Sequence, residues 1–206
     1  MKGTDINMDI INKNIKQTKE FFDECADTWD DTSNYNYEKI SAIVTLAEIK
    51  EGSRVADIAC GTGVLFPEVL SHKPNLLLGI DLSDKMIERA RSKYVSPHLR
   101  LLASDFFDVH ENDFDTIFLY NAYPHFLDKS RLANHMSEML KPGGRIMIAH
   151  GDGRDNINNH HTGKMVSKLS CGLKCAKEEK NNFSDVFNID MIADTAEIYF
   201  FSGTKK

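Results

Sequence analysis

A glycine-rich turn beside an acidic residue is the stretch of this sequence most suited to binding a ligand. Residues 54–65 read R-V-A-D-I-A-C-G-T-G-V-L. The apolar beginning predicts a buried parallel strand that contains Asp57, and a helical pattern follows Gly61 and Gly63. Because glycine has no Cβ, the backbone of such a turn can pass close to a bound molecule. Together these features predict a nucleotide-type site, the alternative being an ordinary strand-to-helix turn.

The turn lacks the marks of two common phosphate-binding motifs. A dinucleotide fingerprint has a third glycine three residues after the second, and here that position is Phe66. A P-loop has Gly-Lys-Ser or Gly-Lys-Thr after its turn, and that is absent as well. The sequence therefore disfavours a phosphate cradle and leaves a ligand that a carboxylate and a bare backbone can hold.

Two further acidic residues follow the next two predicted strands. Asp81 ends the strand at 76–80, about twenty residues after the glycines, which is the spacing of a carboxylate that binds ribose hydroxyls. Asp105 follows the strand at 99–103 and can accept a hydrogen bond from an exocyclic adenine amine, while Phe106 can stack on the ring. Ligands of such sheets bind beyond the carboxyl ends of the strands, so these acids predict one shared site.

Strand and helix patterns alternate from residue 54 to a fifth strand at 145–149. This alternation predicts an α/β fold with a doubly wound, mostly parallel sheet and right-handed crossovers. The last two predicted strands, 186–192 and 197–202, are too close in sequence for a parallel crossover. They must therefore form an antiparallel hairpin, which completes a predicted seven-stranded sheet.

The N-terminal 50 residues predict a helical cover on this sheet. Apolar residues recur from Met8 to Trp29 in steps of three and four, which places them on one helix face. Segment 151–185 is polar at its start, and we expect a loose helix over 165–176 within it. We assign 151–185 to the substrate side and treat residues 1–206 as a single domain.

The composition is that of a globular domain and disfavours several classes of function. A chain of 206 residues supports one domain with a substantial core. Its net charge of -6 argues against a general binder of nucleic acid or anionic membranes. Four cysteines without a regular framework predict reduced thiols in the cytosol. The sequence shows neither a signal peptide nor an apolar run long enough for a membrane span, so we predict a cytoplasmic protein.

These motifs resemble those of the class I S-adenosylmethionine-dependent methyltransferases. Motif I of that family is D-x-G-x-G-x-G, which residues 57–63 match except that Ala59 takes the first glycine position. A second match is L-K-P-G-G at 140–144. The resemblance implies S-adenosyl-L-methionine as cofactor and a sheet whose last strand lies between the fifth and the sixth. The cofactor-binding residues that it implies are Asp57, Ala59, Cys60, Gly61, Gly63, Asp81, Leu82, Met86, Asp105, Phe106, Asn121 and Trp29.

The first helix resembles the N-terminal cover of small-molecule members such as the quinone methyltransferases. In those proteins an aromatic residue near a segment like F-F-D-E-C-A-D-T-W-D closes over the cofactor. The candidates here are Trp29, Phe22 and Tyr37, although core packing explains Phe22 equally well. An aromatic lid would stabilise a sulfonium through its π face and keep water away from a reactive electrophile.

The reaction implied by the resemblance is in-line transfer of a methyl group to a small-molecule acceptor. A general base would add about 10²–10⁴-fold where the acceptor must lose a proton. His125 and Tyr123, after the fourth strand, are the catalytic candidates, the alternative for His125 being a bond within its loop. The predicted substrate contacts are His150, Arg154, His160 and His161. No metal is predicted, because the spacing of these histidines with Asp152 and Asp155 fits no familiar ligand pattern.

Two other functions compete with methyl transfer. One is a module that binds S-adenosylmethionine without catalysis, which the proton-handling side chains of residues 151–163 disfavour. The other is a nicotinamide-dependent oxidoreductase. The N-A-Y-P stretch at 121–124 only superficially resembles the motif of amino-methylating DNA enzymes, and the acidic charge disfavours DNA. Cys171 and Cys175 are expected to share a helix face as small core residues rather than to carry thiol chemistry.

Overall fold

The computed structural model describes residues 3–160 and 169–206, and seven strands in these ranges form one sheet. The strands are β1 Arg54–Ile58, β2 Leu76–Asp81, β3 Leu99–Ala103, β4 Phe114–Tyr120, β5 Leu140–His150, β6 Phe187–Asp194 and β7 Tyr199–Lys205. Their order across the sheet is β3-β2-β1-β4-β5-β7-β6. Neighbouring strands from β3 to β5 pair in parallel, whereas β7 is antiparallel to both β5 and β6.

This topology confirms the predicted fold class. The sheet is mostly parallel, its last two strands form an antiparallel hairpin, and β7 lies between β5 and β6 as the family resemblance implied. Parallel strands covered on both faces are largely apolar, and β1 is apolar apart from Arg54 at its start and Asp57 near its end. Val55, Ala56 and Ile58 of that strand are completely buried.

Helices cover both faces of the sheet within the described ranges. They are α1 Gly3–Cys25, α2 Trp29–Thr32, α3 Tyr37–Leu46, α4 Phe66–Ser71, α5 Asp84–Lys93, α6 Lys129–Met139, α7 Arg154–His160 and α8 Ala176–Glu179. Short 3₁₀ turns at Phe106–Asp108, Tyr123–His125 and Lys180–Asn182 connect some of them. None of the helices in the described part of the chain is long and apolar enough to cross a bilayer.

Two apolar clusters lie on opposite faces of the sheet. Alternate side chains of β1 point to each face, so Ile58 joins one cluster and Val55 the other. Leu132 of α6 packs with the first cluster, while Ile43 of α3 and Ile87 of α5 pack with the second. Each such side chain, fully buried, contributes about 1.5–3 kcal/mol. This packing fixes the carboxyl ends of the strands, where the candidate site lies.

The prediction was wrong where α6 meets β5. The sequence pattern extended the helix to Leu140 and began the strand at Arg145, but the helix ends at Met139 and the strand begins at once. Leu140 pairs with Phe114, and a bulge separates this pair from the regular register. Pro142 cannot donate a hydrogen bond, and an irregular strand tolerates it where a regular inner strand would not.

The prediction was also wrong around residues 26–29 and 169–175. Helix α1 ends at Cys25, where the amide of Thr28 donates to the Cys25 carbonyl in a turn, so Trp29 is not on the α1 face. Residues 170–175 are not helical, because the Cys171 amide donates instead to the Pro124 carbonyl at 2.9 Å. Residues 165–168 of the predicted loose helix lie outside the described residues.

Candidate functional site

The glycine turn after β1 is held by a carboxylate from the next strand. The Gly61 amide donates to Asp81 Oδ2 at 2.8 Å, and the Ser83 amide donates to Asp81 Oδ1 at 2.8 Å. The Cys60 amide donates to the Ile80 carbonyl at 3.0 Å, which ties the turn to β2 a second time. A carboxylate has about four lone-pair sites, so Asp81 can accept further hydrogen bonds.

The two glycines of the turn have different surroundings. A Cβ on Gly63, at φ +87°, would collide with the Phe66 ring, so that glycine is required for packing. A Cβ on Gly61, at φ +54°, would meet only the Trp29 indole nitrogen, at 3.9 Å. The backbone of Gly61 is therefore bare on the side that Trp29 covers.

Ala59 adopts a left-handed backbone conformation that alanine disfavours. Its φ is +52°, in the region where the first glycine of the family motif would carry no strain. For a residue with a Cβ this conformation costs roughly 1–2 kcal/mol. The turn therefore keeps the backbone path expected of a glycine although the sequence places alanine there.

Two buried carboxyl groups lie together at the tips of β1 and β2. Asp57 is 2% exposed and Asp81 is 8% exposed. Burial raises the pKa of Asp81 to about 6, against the lowering effect of the Ser83 and Gly61 amides. Burial, and then the charge of Asp81, raise the pKa of Asp57 well above its ordinary value. A cationic ligand nearby would favour the ionised form of both groups.

The third acidic residue, Asp105, caps the short turn after β3. Its Oδ1 accepts the Phe107 amide at 2.9 Å, and its side chain is half-buried. Phe106, predicted to stack on adenine, is instead 4% exposed and packs in the core against the ring of His135, at a centroid distance of 4.7 Å. In this structure Phe106 is a core residue, because its apolar ring is enclosed by other aromatic rings.

The sequence analysis missed His135, which shapes the same turn from α6. Its Nε2 contacts the carbonyl oxygens of Phe106 at 3.1 Å and Val109 at 2.9 Å. Carbonyls only accept, so Nε2 carries the proton that both share. The helical pattern of α6 gave one signal, a histidine on its apolar face beside Leu132 and Met136.

Other residues of the predicted cofactor set lie around this core of the site. Leu82 is half-buried after β2, while Met86 and Cys60 are buried. Cys60 belongs to the same apolar cluster as Val55, whereas Met86 belongs to neither of the two clusters. Asn121, at φ +55°, follows β4, and its Oδ1 accepts the Gly151 amide at 3.0 Å. Leu82 and Asn121 therefore lie at strand ends, and Cys60 contributes packing.

The N-terminal cover is joined to the site loops by polar contacts. Ser83 Oγ donates to Asp23 of α1 at 2.5 Å, and Thr62 Oγ1 donates to Asp30 of α2 at 2.6 Å. Lys93 Nζ donates to the same Asp30 carboxylate at 2.8 Å. The cover is thus attached to both the glycine turn and the loop after β2.

Trp29, one of the three lid candidates, lies over Gly61. Its Nε1 donates to the Tyr35 hydroxyl at 2.9 Å, and its ring meets Phe22 edge-to-face at 5.7 Å. Tyr37, the third candidate, is 69% exposed and begins α3. The aromatic cover therefore consists of Trp29, Phe22 and Tyr35, of which Tyr35 was not predicted.

His125 is half-buried beside this cover. Its Nδ1 contacts the Leu169 carbonyl at 3.1 Å, and its ring meets Phe22 edge-to-face at 5.2 Å. Because a carbonyl only accepts, Nδ1 donates, and in the neutral ring Nε2 is then the basic nitrogen. The ring thus makes the loop contact that was the alternative to a catalytic role for His125. The same contact favours the tautomer with a basic Nε2, which a general base needs.

Tyr123 does not lie where the predicted catalytic role requires. It is completely buried, and its hydroxyl donates to Glu179 Oε2 at 2.9 Å. Burial, and then the Glu179 charge, raise the pKa of this hydroxyl above its ordinary value. Lys129 Nζ lies 3.5 Å from the ring centroid on the other side. Tyr123 therefore anchors the loop after β4 in the core, and an acceptor cannot reach it in this structure.

Of the four predicted substrate residues, the structure describes the side chains of His150 and Arg154. His150 is 2% exposed and packs against Tyr199, so it does not line a surface. Arg154 is half-buried and lies 3.6 Å from Asp194, beside the β6–β7 hairpin. The side chain of His160 and all of His161 lie outside the described residues. Among the described residues, no group of three or more His, Cys, Asp or Glu side chains is arranged to hold a metal ion.

Comparisons with known proteins support the methyltransferase interpretation independently of the site geometry. Residues 55–144 match the family model described as "Methyltransferase domain". The chain is 28% identical over 146 residues to malonyl-[acyl-carrier protein] O-methyltransferase 1 of Ilyobacter polytropus. The aligned region covers 69% of this chain and 54% of that protein. It is 29% identical over 106 residues to the ubiquinone/menaquinone biosynthesis C-methyltransferase UbiE of Geobacter sulfurreducens, covering 48% and 41% respectively. The chain thus spans about half of the length of these curated relatives or less.

A solved structure has the same fold. The magnesium protoporphyrin IX methyltransferase of Synechocystis PCC 6803, crystallised with bound S-adenosylhomocysteine, superposes with a TM-score of 0.71. The match covers 94% of this chain and 100% of that one, at 15% identity. This likeness shows a shared fold.

Replacing Ala59 by glycine should stabilise the protein. The change stabilises the folded state by removing roughly 1–2 kcal/mol of backbone strain. It also stabilises the unfolded state by about 0.4–1 kcal/mol, because glycine makes the unfolded chain more flexible. We expect the free energy of unfolding, measured by urea titration, to rise by about 0.5–1 kcal/mol. Ala42→Gly, at an exposed position in α3, is the control and should lower it by about 1 kcal/mol. A loss of stability in Ala59→Gly would contradict the strain argument.

The buried Asp81 should make stability depend on pH. Its pKa in the folded protein, about 6, exceeds the ordinary 3.8, so its neutral form is favoured by folding. This contribution is fully present below pH 3.8 and is lost as the pH rises through 6. We expect the parent to lose on the order of 3 kcal/mol between pH 4 and pH 7 relative to Asp81→Asn. Parallel urea titrations of the two proteins measure this difference, and identical pH profiles would refute it.

Proposed function

We propose that this chain, whose residues 55–144 form a methyltransferase domain, transfers a methyl group from S-adenosylmethionine to a small-molecule acceptor. The observation that carries the proposal is the arrangement at the tips of β1 and β2. There a bare glycine backbone, a buried carboxylate and an aromatic cover meet at Gly61, Asp81 and Trp29. When bound, S-adenosylmethionine supplies a methyl group that its sulfonium has already activated.

The residues of the site fit this cofactor in their chemistry. Asp81 would accept hydrogen bonds from ribose hydroxyls, and Asp105 from the adenine amine. Because Gly61 has no Cβ, the methionine portion could lie close to its backbone. A Cβ at this position would occupy part of the space between the turn and Trp29. Burial raises the pKa of Asp57, and a sulfonium or ammonium group bound beside it would favour its ionised form, since an opposite charge stabilises a carboxylate.

The protein's part in the reaction would be to position the two partners and exclude water. Holding the reacting groups in line can lower the barrier by roughly 7–11 kcal/mol, so positioning is the main contribution. The cover supplies both functions, because Asp23 and Asp30 fix it to the loops that hold the cofactor. The Trp29 and Phe22 rings would then close the site against solvent.

We assign the role of general base to His125. The Leu169 carbonyl holds the proton on Nδ1, so Nε2 of the neutral ring can receive a proton from the acceptor. Phe22 sits between this ring and Trp29, which places the base next to the cover of the proposed cofactor site. Tyr123 has no part in this step, since its hydroxyl is engaged by Glu179.

The comparisons and the net charge support a small-molecule acceptor, and the cysteines support a reducing compartment. The relative from Geobacter sulfurreducens is named for quinone biosynthesis, and the net charge of -6 disfavours nucleic acid. All four cysteines are unpaired, including Cys171 and Cys175, which fits the cytosol. The acceptor would lie between the N-terminal cover and the segment after β5.

S-adenosylhomocysteine should bind and protect the protein from thermal unfolding, whereas NAD should not. Asp81→Asn should weaken binding of S-adenosylhomocysteine by about 10–100-fold, the value of hydrogen bonds to a charged group. Isothermal titration calorimetry gives both constants. Glu88→Ala, an exposed acid on α5, is the control and should bind like the parent. Protection by NAD alone would overturn the proposal in favour of an oxidoreductase.

His125→Ala should retain affinity for S-adenosylhomocysteine and lose about 10²–10⁴-fold in methyl transfer if the acceptor must be deprotonated. The assay follows label from radioactive S-adenosylmethionine into a pool of small metabolites. His98→Ala, an exposed histidine at the opposite end of the strands, should transfer at the parental rate. Cofactor binding without label transfer by the parent itself would instead indicate a binding module.

A further inference from the structure

Three aromatic rings form a continuous path from the glycine turn to His125. The Trp29 indole lies over Gly61, and its ring centroid is 5.7 Å from that of Phe22, with the planes at 72°. The Phe22 centroid is in turn 5.2 Å from that of His125, at 84°. Both contacts have the edge-to-face geometry that aromatic pairs prefer, which makes each ring sensitive to the orientation of the next.

These rings belong to separate parts of the chain. Phe22 is on α1, Trp29 begins α2, and His125 ends the 3₁₀ turn after β4. Phe22 is therefore a side chain that contacts the cofactor side and the acceptor side of the proposed site at once. The polar attachments of the cover, from Asp23 to Ser83 and from Asp30 to Thr62, lie on the cofactor side.

We propose that Phe22 is a positioning residue, which transmits the docking of Trp29 over the glycine turn to the orientation of the His125 ring. The inference rests on the proposed function and goes beyond it. Filling the site beneath Trp29 changes the contacts of the indole, and a ligand can shift a conformation only through such differential contacts. Phe22 passes this change on, so that the base takes its working orientation when the cofactor site is filled.

The chain itself provides two local reporters. Trp29 is the single tryptophan, so intrinsic tryptophan fluorescence reports on the cover alone. The imidazole nitrogens of His125 can be observed by NMR in protein labelled with ¹⁵N-histidine, with the resonances assigned by comparison with His125→Ala. S-adenosylhomocysteine is the probe, so that no acceptor is needed.

In the parent we expect fluorescence and the His125 resonances to change with the same half-saturation. Phe22→Ala should keep the fluorescence change at saturating probe and lose most of the His125 shift, by at least several-fold. Phe22→Leu, which retains apolar volume without a ring, serves if the alanine variant fails to fold. Tyr37→Ala is the control, because Tyr37 is an aromatic residue of the same N-terminal segment whose side chain is 69% exposed. It should preserve both signals.

Different experimental results would contradict the proposed function and the role of Phe22. No response of either reporter, with no heat of binding, overturns the proposed function. A fluorescence change without a His125 response in the parent overturns the inference alone. A full His125 response in both Phe22 variants does so as well.

Discussion

The hydrogen bond between the Gly61 amide and the Asp81 carboxylate is the contact on which the rest of the site depends. A carboxylate enclosed by protein loses its hydration and must find donors, and Asp81 finds them in the backbone of Gly61 and Ser83. Ser83 in turn caps α5 through its Oγ, which accepts the Met86 amide, and donates to Asp23 of the cover. One negative charge therefore organises the glycine turn, a helix start and the docking of the N-terminal segment. Apolar packing fixes the strands, and the need of that charge for hydrogen-bond donors sets how the turn, the helix start and the cover meet at the strand tips.

Periodicity and turn chemistry were sufficient to predict the strands and the fold class, whereas the place of β7 between β5 and β6 came from the family resemblance. Parallel strands buried on both faces produce apolar runs, and the short link between the last two strands allows only a hairpin, so the fold class followed from local pattern. The roles of individual site residues did not follow, because sequence position does not reveal which way a side chain points. Tyr123 and Phe106 stand at strand ends like true ligand contacts, yet both face the core. His135 lies on a helix far along the chain, and only the three-dimensional packing brings it to the turn after β3.

The cover differs from the core in how it is held. Its aromatic side chains, Phe22 and Trp29, are only half-buried, and its attachments are a few hydrogen bonds to carboxylates that remain partly exposed. Such contacts open at a lower free energy than a packed strand does. A region of this kind can admit a ligand without unfolding the domain. The rigid sheet then keeps the acidic tips in place while the cover moves.

The position of β7 has a consequence for how the chain reaches this fold. Residues 199–205 pair with β5 on one side and with β6 on the other, so the hairpin cannot join the parallel strands before they exist. During synthesis the edge of β5, with Ile146 and Ile148, stays uncovered until those residues leave the ribosome. An exposed apolar strand edge invites pairing with other chains. The nascent protein is therefore exposed to edge-to-edge aggregation from the time β5 forms until β7 pairs with it.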